Sequence, residues 1–194
     1  MARRAEIAGG ALALAAIAFL LVANVIGDSF AAQRDSGVLE IRIKDHRDAI
    51  GDFVRLNIVI DKISLSPKTG LKFWKTGWHE LTVGTDPIDL TKYVGKTSAR
   101  IYRGTIAAGA FEGFHLKIKR VEAVLKKNQR VAAVKNLIGA VTLPFEVRAD
   151  GETLLIIDLR VSDFADHPPR GYELGLHGYE LFTNGKLTAK IPPG

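Results

Sequence analysis

Cysteine is missing from all 194 positions. That absence removes disulfides, cysteine-ligated zinc, iron–sulfur clusters and thiol nucleophiles together. It leaves the compartment open, because many exported proteins also do without cysteine. Short catalytic signatures are missing too: no G-x-S-x-G, H-E-x-x-H, Walker or G-x-G-x-x-G pattern occurs. No loop alternates Asp and Asn around a glycine pivot, which excludes a calcium site of the EF-hand kind. A glycosidase built on two distant carboxylates would need no local motif, but nothing favours one.

What is there describes a folded chain. Hydrophobic residues make up 47% and charged residues 25%, too apolar for wholesale disorder. The length suits one ordinary domain with an accessory segment. Arg3 and Arg4 precede a charge-free span from Ile7 to Gly27. As a helix, such a span of about 20 residues crosses the roughly 30 Å hydrocarbon core. Residues 1–27 are therefore expected to be a single transmembrane signal anchor, with its arginines on the cytoplasmic side. Ser29-Phe30-Ala31 offers a small-x-small cleavage site, so a removed leader is the alternative. Residues 28–36 then form a linker, and 37–194 a domain outside the inner membrane, periplasmic or extracellular.

That domain alternates with period two. Leu39, Ile41 and Ile43 face one way and Glu40, Arg42 and Lys44 the other, as in a half-buried strand. Phe53–Leu65 begins with Val54, Leu56, Ile58 and Ile60 on one face. Its parity then slips to Ile63 and Leu65, which calls for a bulge near Asp61-Lys62. Further strands are expected at Trp78–Thr82, Ala99–Ile106, Val141–Val147, Thr153–Val161, Tyr172–Leu176, Tyr179–Phe182 and Lys186–Ile191. Thr153–Val161 is apolar on both faces and should be central. Asn184-Gly185 between apolar runs is a two-residue hairpin signal. No long helical pattern follows the anchor. The expected fold is mainly β: an antiparallel, Greek-key-like β-sandwich behind one N-terminal transmembrane helix.

The charge is not spread evenly. Lys117–Asn136 holds Lys117, Lys119, Arg120, Lys126, Lys127, Arg130 and Lys135 against Glu122, a local +6 that equals the net charge of the whole chain. Phe114, Leu116 and Ile118 alternate with His115, Lys117 and Lys119. Val121, Ala123 and Leu125 continue after a second parity slip, Lys126–Gln129 is polar, and Val131–Val134 is apolar again. This predicts a long hairpin with its cations outward. A helix is the rival, since Val121, Val124 and Leu125 are also helically spaced. Against it, the stretch has β-branched valines and no capping residue at its start.

Taken in order, several pieces resemble an exported bacterial and archaeal domain of unknown function, catalogued as number 4382. They are GVLEIRIKD (Gly37–Asp45), DFVRLNIVIDKISL (Asp52–Leu65), IDLT (Ile88–Thr91), GTIAAGAFEGFHLKI (Gly104–Ile118) and TLLIIDLRVS (Thr153–Ser162). The resemblance implies a β-sandwich behind a signal or lipoprotein leader, and it supplies no catalytic residues. Lipoprotein members carry an acylated cysteine, which this chain lacks, so here a helix must anchor. The region from Lys126 to Gly139 is also more basic than the family pattern implies.

Candidate chemistry is sparse. Asp45-His46-Arg47-Asp48 and Asp163-Phe164-Ala165-Asp166-His167 hold possible metal donors, but polar loop residues at strand ends account for them. Asp158 inside an apolar strand calls for a basic partner. Trp74 and Trp78 lie among Lys72 and Lys75. Trp78 is expected in the core, and Trp74 exposed where it could meet a partner or membrane interface. No catalytic, cofactor-binding or metal-ligating residue is assigned, and no cofactor is expected. Nucleic acid is a poor partner, because the domain is exported and the basic run lacks interleaved aromatics.

The leading functional expectation is a non-catalytic accessory or structural subunit of a membrane or envelope complex. Its candidate interaction surface is Lys117, Lys119, Arg120, Lys126, Lys127, Arg130, Lys135 and Trp74, facing other envelope proteins or anionic lipid head groups. One alternative is a ligand- or glycan-binding adhesion module, with Trp74, Tyr172 or Tyr179 stacking on sugar. Another is an unrecognised hydrolase, for which an open cleft with convergent carboxylates or histidines would speak.

Overall fold

The computed structural model describes residues 35–68, 77–164 and 171–191. The anchor, the cleavage site after Ala31, Trp74, Asp166, His167 and nearly all of the linker lie outside these residues. Among the described residues no helix is long and apolar enough to cross a membrane.

The chain is mainly β. Its strands are β1 Ser36–Asp45, β2 Phe53–Pro67, β3 His79–Leu81, β4 Ile88–Asp89, β5 Ala99–Ala107, β6 Gly109–Leu125, β7 Val131–Ala132, β8 Val134–Asn136, β9 Ala140–Val147, β10 Glu152–Asp163, β11 Tyr172–Thr183 and β12 Lys186–Ile191. The first sheet runs β12-β11-β10-β1-β5, with β8 on the outer side of β11. The second runs β3-β2-β6-β7, with β4 on β2 and β9 on β6. Only Ala108 separates β5 in the first sheet from β6 in the second.

One core joins the two sheets. Leu39, Ile41, Ile43, Leu155, Ile157 and Leu159 from the first meet Leu56, Ile58, Ile60, Ile63, Phe114 and Leu116 from the second. Each side chain of this size, fully buried, contributes about 1.5–3 kcal/mol. The period-two pattern is thus realised: alternate residues of β1 and β10 face the core, and the others form the outer face of the first sheet. The IDLT segment is a short 3-10 turn, Leu90–Lys92, capped by Asp89. Asp89 Oδ1 accepts from Thr91 N and Oγ1 and from Leu56 N, stitching the turn to β2.

The expected bulge is present. Ile60 pairs with Ile118 and Lys62 with Lys117, which leaves Asp61 unpaired and out of the core. Val59 pairs with Arg120, so Lys119 is the matching extra residue on β6, and this is the second parity slip. Asn184-Gly185 turns β11 into β12 with φ of 49° and 76°, and Thr183 pairs with Lys186. β10 is central, as its two-sided apolar character required.

Five expectations are corrected. The first sheet is not all antiparallel: β1 and β10 run parallel, as do β8 and β11. Tyr172–Leu176 and Tyr179–Phe182 are one strand, β11, interrupted by a bulge at His177. The basic hairpin is real but short-limbed, because only Val131 and Ala132 return along β6 before β8 crosses to the other sheet. Val54 is 46% exposed, since a bulge between Phe53 and Arg55 turns Phe53 inward instead. Trp78 is 48% exposed rather than in the core, resting edge-on near His115 at the rim of β3.

Candidate functional site

Three side chains far apart in sequence converge on the outer face of the first sheet. The parallel β1–β10 register sets Lys44 opposite Asp158, and the antiparallel β10–β11 register sets Asp158 opposite Gly178. His177 is the extra residue of the β11 bulge, since Asp158 pairs with Gly178 and Leu159 with Leu176. A bulge re-aims the side chain it carries. Here it brings the His177 ring onto that of His46, with centroids 3.3 Å apart and planes at 22°. His46 follows directly after β1, where its N–H donates to Leu159 O at 2.8 Å.

Asp158 holds this group together from below. Its Oδ2 lies 3.5 Å from His46 Nδ1 and 3.6 Å from Lys44 Nζ. Lys44 also reaches Glu180 at 3.4 Å, and Lys190 reaches Glu180 at 3.3 Å. The basic partner that the sequence demanded for Asp158 is therefore Lys44 of the neighbouring strand. Among the described residues, three buried polar atoms of this corner nonetheless have no hydrogen-bond partner: Asp158 Oδ1, His177 Nδ1 and Asp45 Oδ2. Native interiors contain few such atoms, and each calls for an explanation.

Asp45 sits on the inward row of β1 with Leu39, Ile41 and Ile43, and is fully buried. Burial pushes its carboxyl up to about 7, against a hydrogen bond from Arg47 N, with Asp158 and Asp48 adding to the rise. Burial likewise holds the His177 imidazole below the ordinary value of 6.5, reinforced by His46. The tight exit from β1 places Arg47 at φ 55°. Around these groups lies a hollow of about 490 Å³, whose wall includes Lys44, Arg47, Asp158, His177 and Lys190. Donor atoms of His46, Asp158 and His177 all lie within 4.8 Å of one another. His46 and Asp158 were singled out in the sequence; His177 was not, and nothing in it showed that the three would meet.

The basic stretch divides into paired and unpaired cations. Lys117 Nζ lies 3.0 Å from Asp61, Arg120 Nε 2.9 Å from Glu122 and Lys135 Nζ 3.5 Å from Glu173. Among the described residues Lys119, Lys126, Lys127 and Arg130 make no ion pair. The last three form the hairpin tip, which is itself ordered. Lys126 N donates to Asp52 O at 2.8 Å, Arg130 N to Asn128 Oδ1 at 3.1 Å, and Gln129 takes φ 56°.

The tip lies at one end of the molecule and the start of β1 at the other. Ala108 N donates to Asp35 O, so β6 starts beside Asp35. β6 then runs 17 residues to Leu125, opposite Phe53. At about 3.3 Å per residue that is roughly 50 Å along the strand. Of the tyrosines considered for sugar stacking, Tyr179 is buried. Tyr172 packs edge-on against Phe53 and donates its hydroxyl to Asp52.

Residues 36–173 match a family model described as a domain of unknown function, DUF4382. Neither the curated proteins nor the solved structures contain a match to the chain.

Proposed function

The chain belongs to the DUF4382 family, and from that premise we propose that it is a membrane-tethered, extracytoplasmic β domain with a non-catalytic role. It contacts other proteins of a membrane or envelope complex as an accessory subunit. The observation that carries this reading is the hairpin tip. Lys126, Lys127 and Arg130 are exposed, ordered and without an acidic partner among the described residues. A cluster held in place yet uncompensated offers a complementary surface to an acidic partner, where matched charge contributes on-rate and specificity.

The position of the tip favours a protein over the tethering bilayer. A linker of residues 28–36 spans at most about 30 Å, while β6 leads from beside Asp35 to the tip over a strand contour of roughly 50 Å. With the domain upright on its tether, the tip points away from that membrane. Purification of the full chain from its native membrane in mild detergent tests this. The expected result is a stoichiometric co-purifying chain that is released by raised salt. A solitary monomer at low salt would end the reading.

A further inference from the structure

We propose that His46, Asp158 and His177 form a binding site for one divalent first-row transition ion of the zinc class. The donor set comes first. Two imidazoles and one carboxylate suit zinc, nickel, copper or iron rather than magnesium or calcium, which prefer all-oxygen shells. Two of the three donors carry buried atoms with no hydrogen-bond partner among the described residues, Asp158 Oδ1 and His177 Nδ1. An ion in the hollow would satisfy His177 Nδ1 directly, and Asp158 Oδ1 where the carboxylate binds through both oxygens.

Geometry comes second. With bonds of about 2.0–2.1 Å, neighbouring ligand atoms of a tetrahedral site lie about 3.4 Å apart. His46 Nδ1 and Asp158 Oδ2 are already 3.5 Å apart. The His46–His177 pair needs adjustment, because two stacked rings cannot both aim in-plane lone pairs at one ion. His46 is the ring free to turn, since its side chain is 49% exposed whereas His177 Nδ1 is buried. Lys44 now lies beside the carboxylate, and it can move over to Glu180, 3.4 Å from its ammonium. The bulge that carries His177 gives the arrangement a local cause, because without the extra residue the strand would not turn this ring toward Asp158.

The open coordination positions would face the hollow, where Lys44, Arg47 and Lys190 line the wall. An anionic oxygen donor such as a carboxylate or phosphate is the ligand class that this wall suits.

The test uses the untagged full chain, stripped with a chelator and titrated with Zn²⁺ by calorimetry, with Co²⁺ as a spectroscopic probe. One ion per chain is expected. Loss of a partner that only orients a ligand costs about 10–100-fold in affinity. His46→Ala, His177→Ala and Asp158→Asn should each therefore weaken binding at least about tenfold. His115→Ala, on the other sheet, should bind as the parent does. If His177→Ala or Asp158→Asn fails to fold, the exposed His46→Ala decides. No saturable binding by the parent chain, or unchanged binding by His46→Ala, would overturn the proposal.

Discussion

Glu40 and Arg103 face each other in register across β1 and β5, and the guanidinium also reaches Glu152 at 2.6 Å. Glu40 is 7% exposed, and its carboxylate takes a further hydrogen bond from Arg42 at 3.0 Å. Burial alone would raise this carboxyl. Hydrogen bonds from Arg103 and Arg42, together with their charges, outweigh it and hold the group below its ordinary 4.5. A depressed carboxylate adds stability that is present above the unfolded value and disappears as pH falls through the folded one.

Arg103→Ala should therefore destabilise the fold at neutral pH, though only modestly, because the arginine is half-exposed and Arg42 remains. Below about pH 4.5 the gap between variant and parent should narrow, since protonated Glu40 no longer needs its partner. Urea unfolding at several pH values measures both effects. A gap that stays constant from pH 7 to pH 3 would show that the pair is not what the substitution removes.

Gly37 opens β1 where two backbones nearly touch. A Cβ there would lie 2.2 Å from Arg148 O and 2.9 Å from a Val147 methyl. The obstacle is main chain, which cannot swing aside as a side-chain end could. Gly37→Ala should cost about 1–3 kcal/mol through displacement of the segment after β9. Gly51→Ala, which meets nothing within 4 Å, is the matched control. Equal midpoints for the two variants in urea would refute the close approach.

The strands were legible because half-burial writes period two into the chain. Both faces of β1 and the bulge at Asp61 could be read from parity alone. The parallel β1–β10 pairing could not, because it joins residues more than a hundred positions apart and leaves no local mark. The same gap hid the site. Asp158 was conspicuous as a carboxylate in an apolar strand, but His46 looked like an ordinary loop polar residue and His177 fell between two expected strands. The one usable clue was the broken alternation between Leu176 and Tyr179, which a sequence reading takes for a gap between two strands and the structure resolves as a bulge. Trp78 misled for a related reason, since a large aromatic beside a three-residue edge strand has too little sheet around it to be covered.

At the hairpin tip, charge and fold are carried by different atoms. Lys126, Lys127 and Arg130 are exposed, and the bonds that fix the tip run through Lys126 N, Arg130 N and the side chains of Asn128 and Gln129. Reversing the three charges to Glu leaves those bonds available, so the free energy of unfolding should change by no more than about 0.5 kcal/mol. Association with an acidic partner should suffer far more. Each exposed pair is worth about 0.2–1 kcal/mol, so losing three should weaken binding by about 0.6–3 kcal/mol, concentrated at low salt. The paired cations give the control. Lys117→Glu and Arg120→Glu, whose parents face Asp61 and Glu122, should disturb association less. Crosslinking yield in native membranes across a salt series measures all of these. If the tip variant crosslinks like the parent at low salt, the cluster is only a solvated turn.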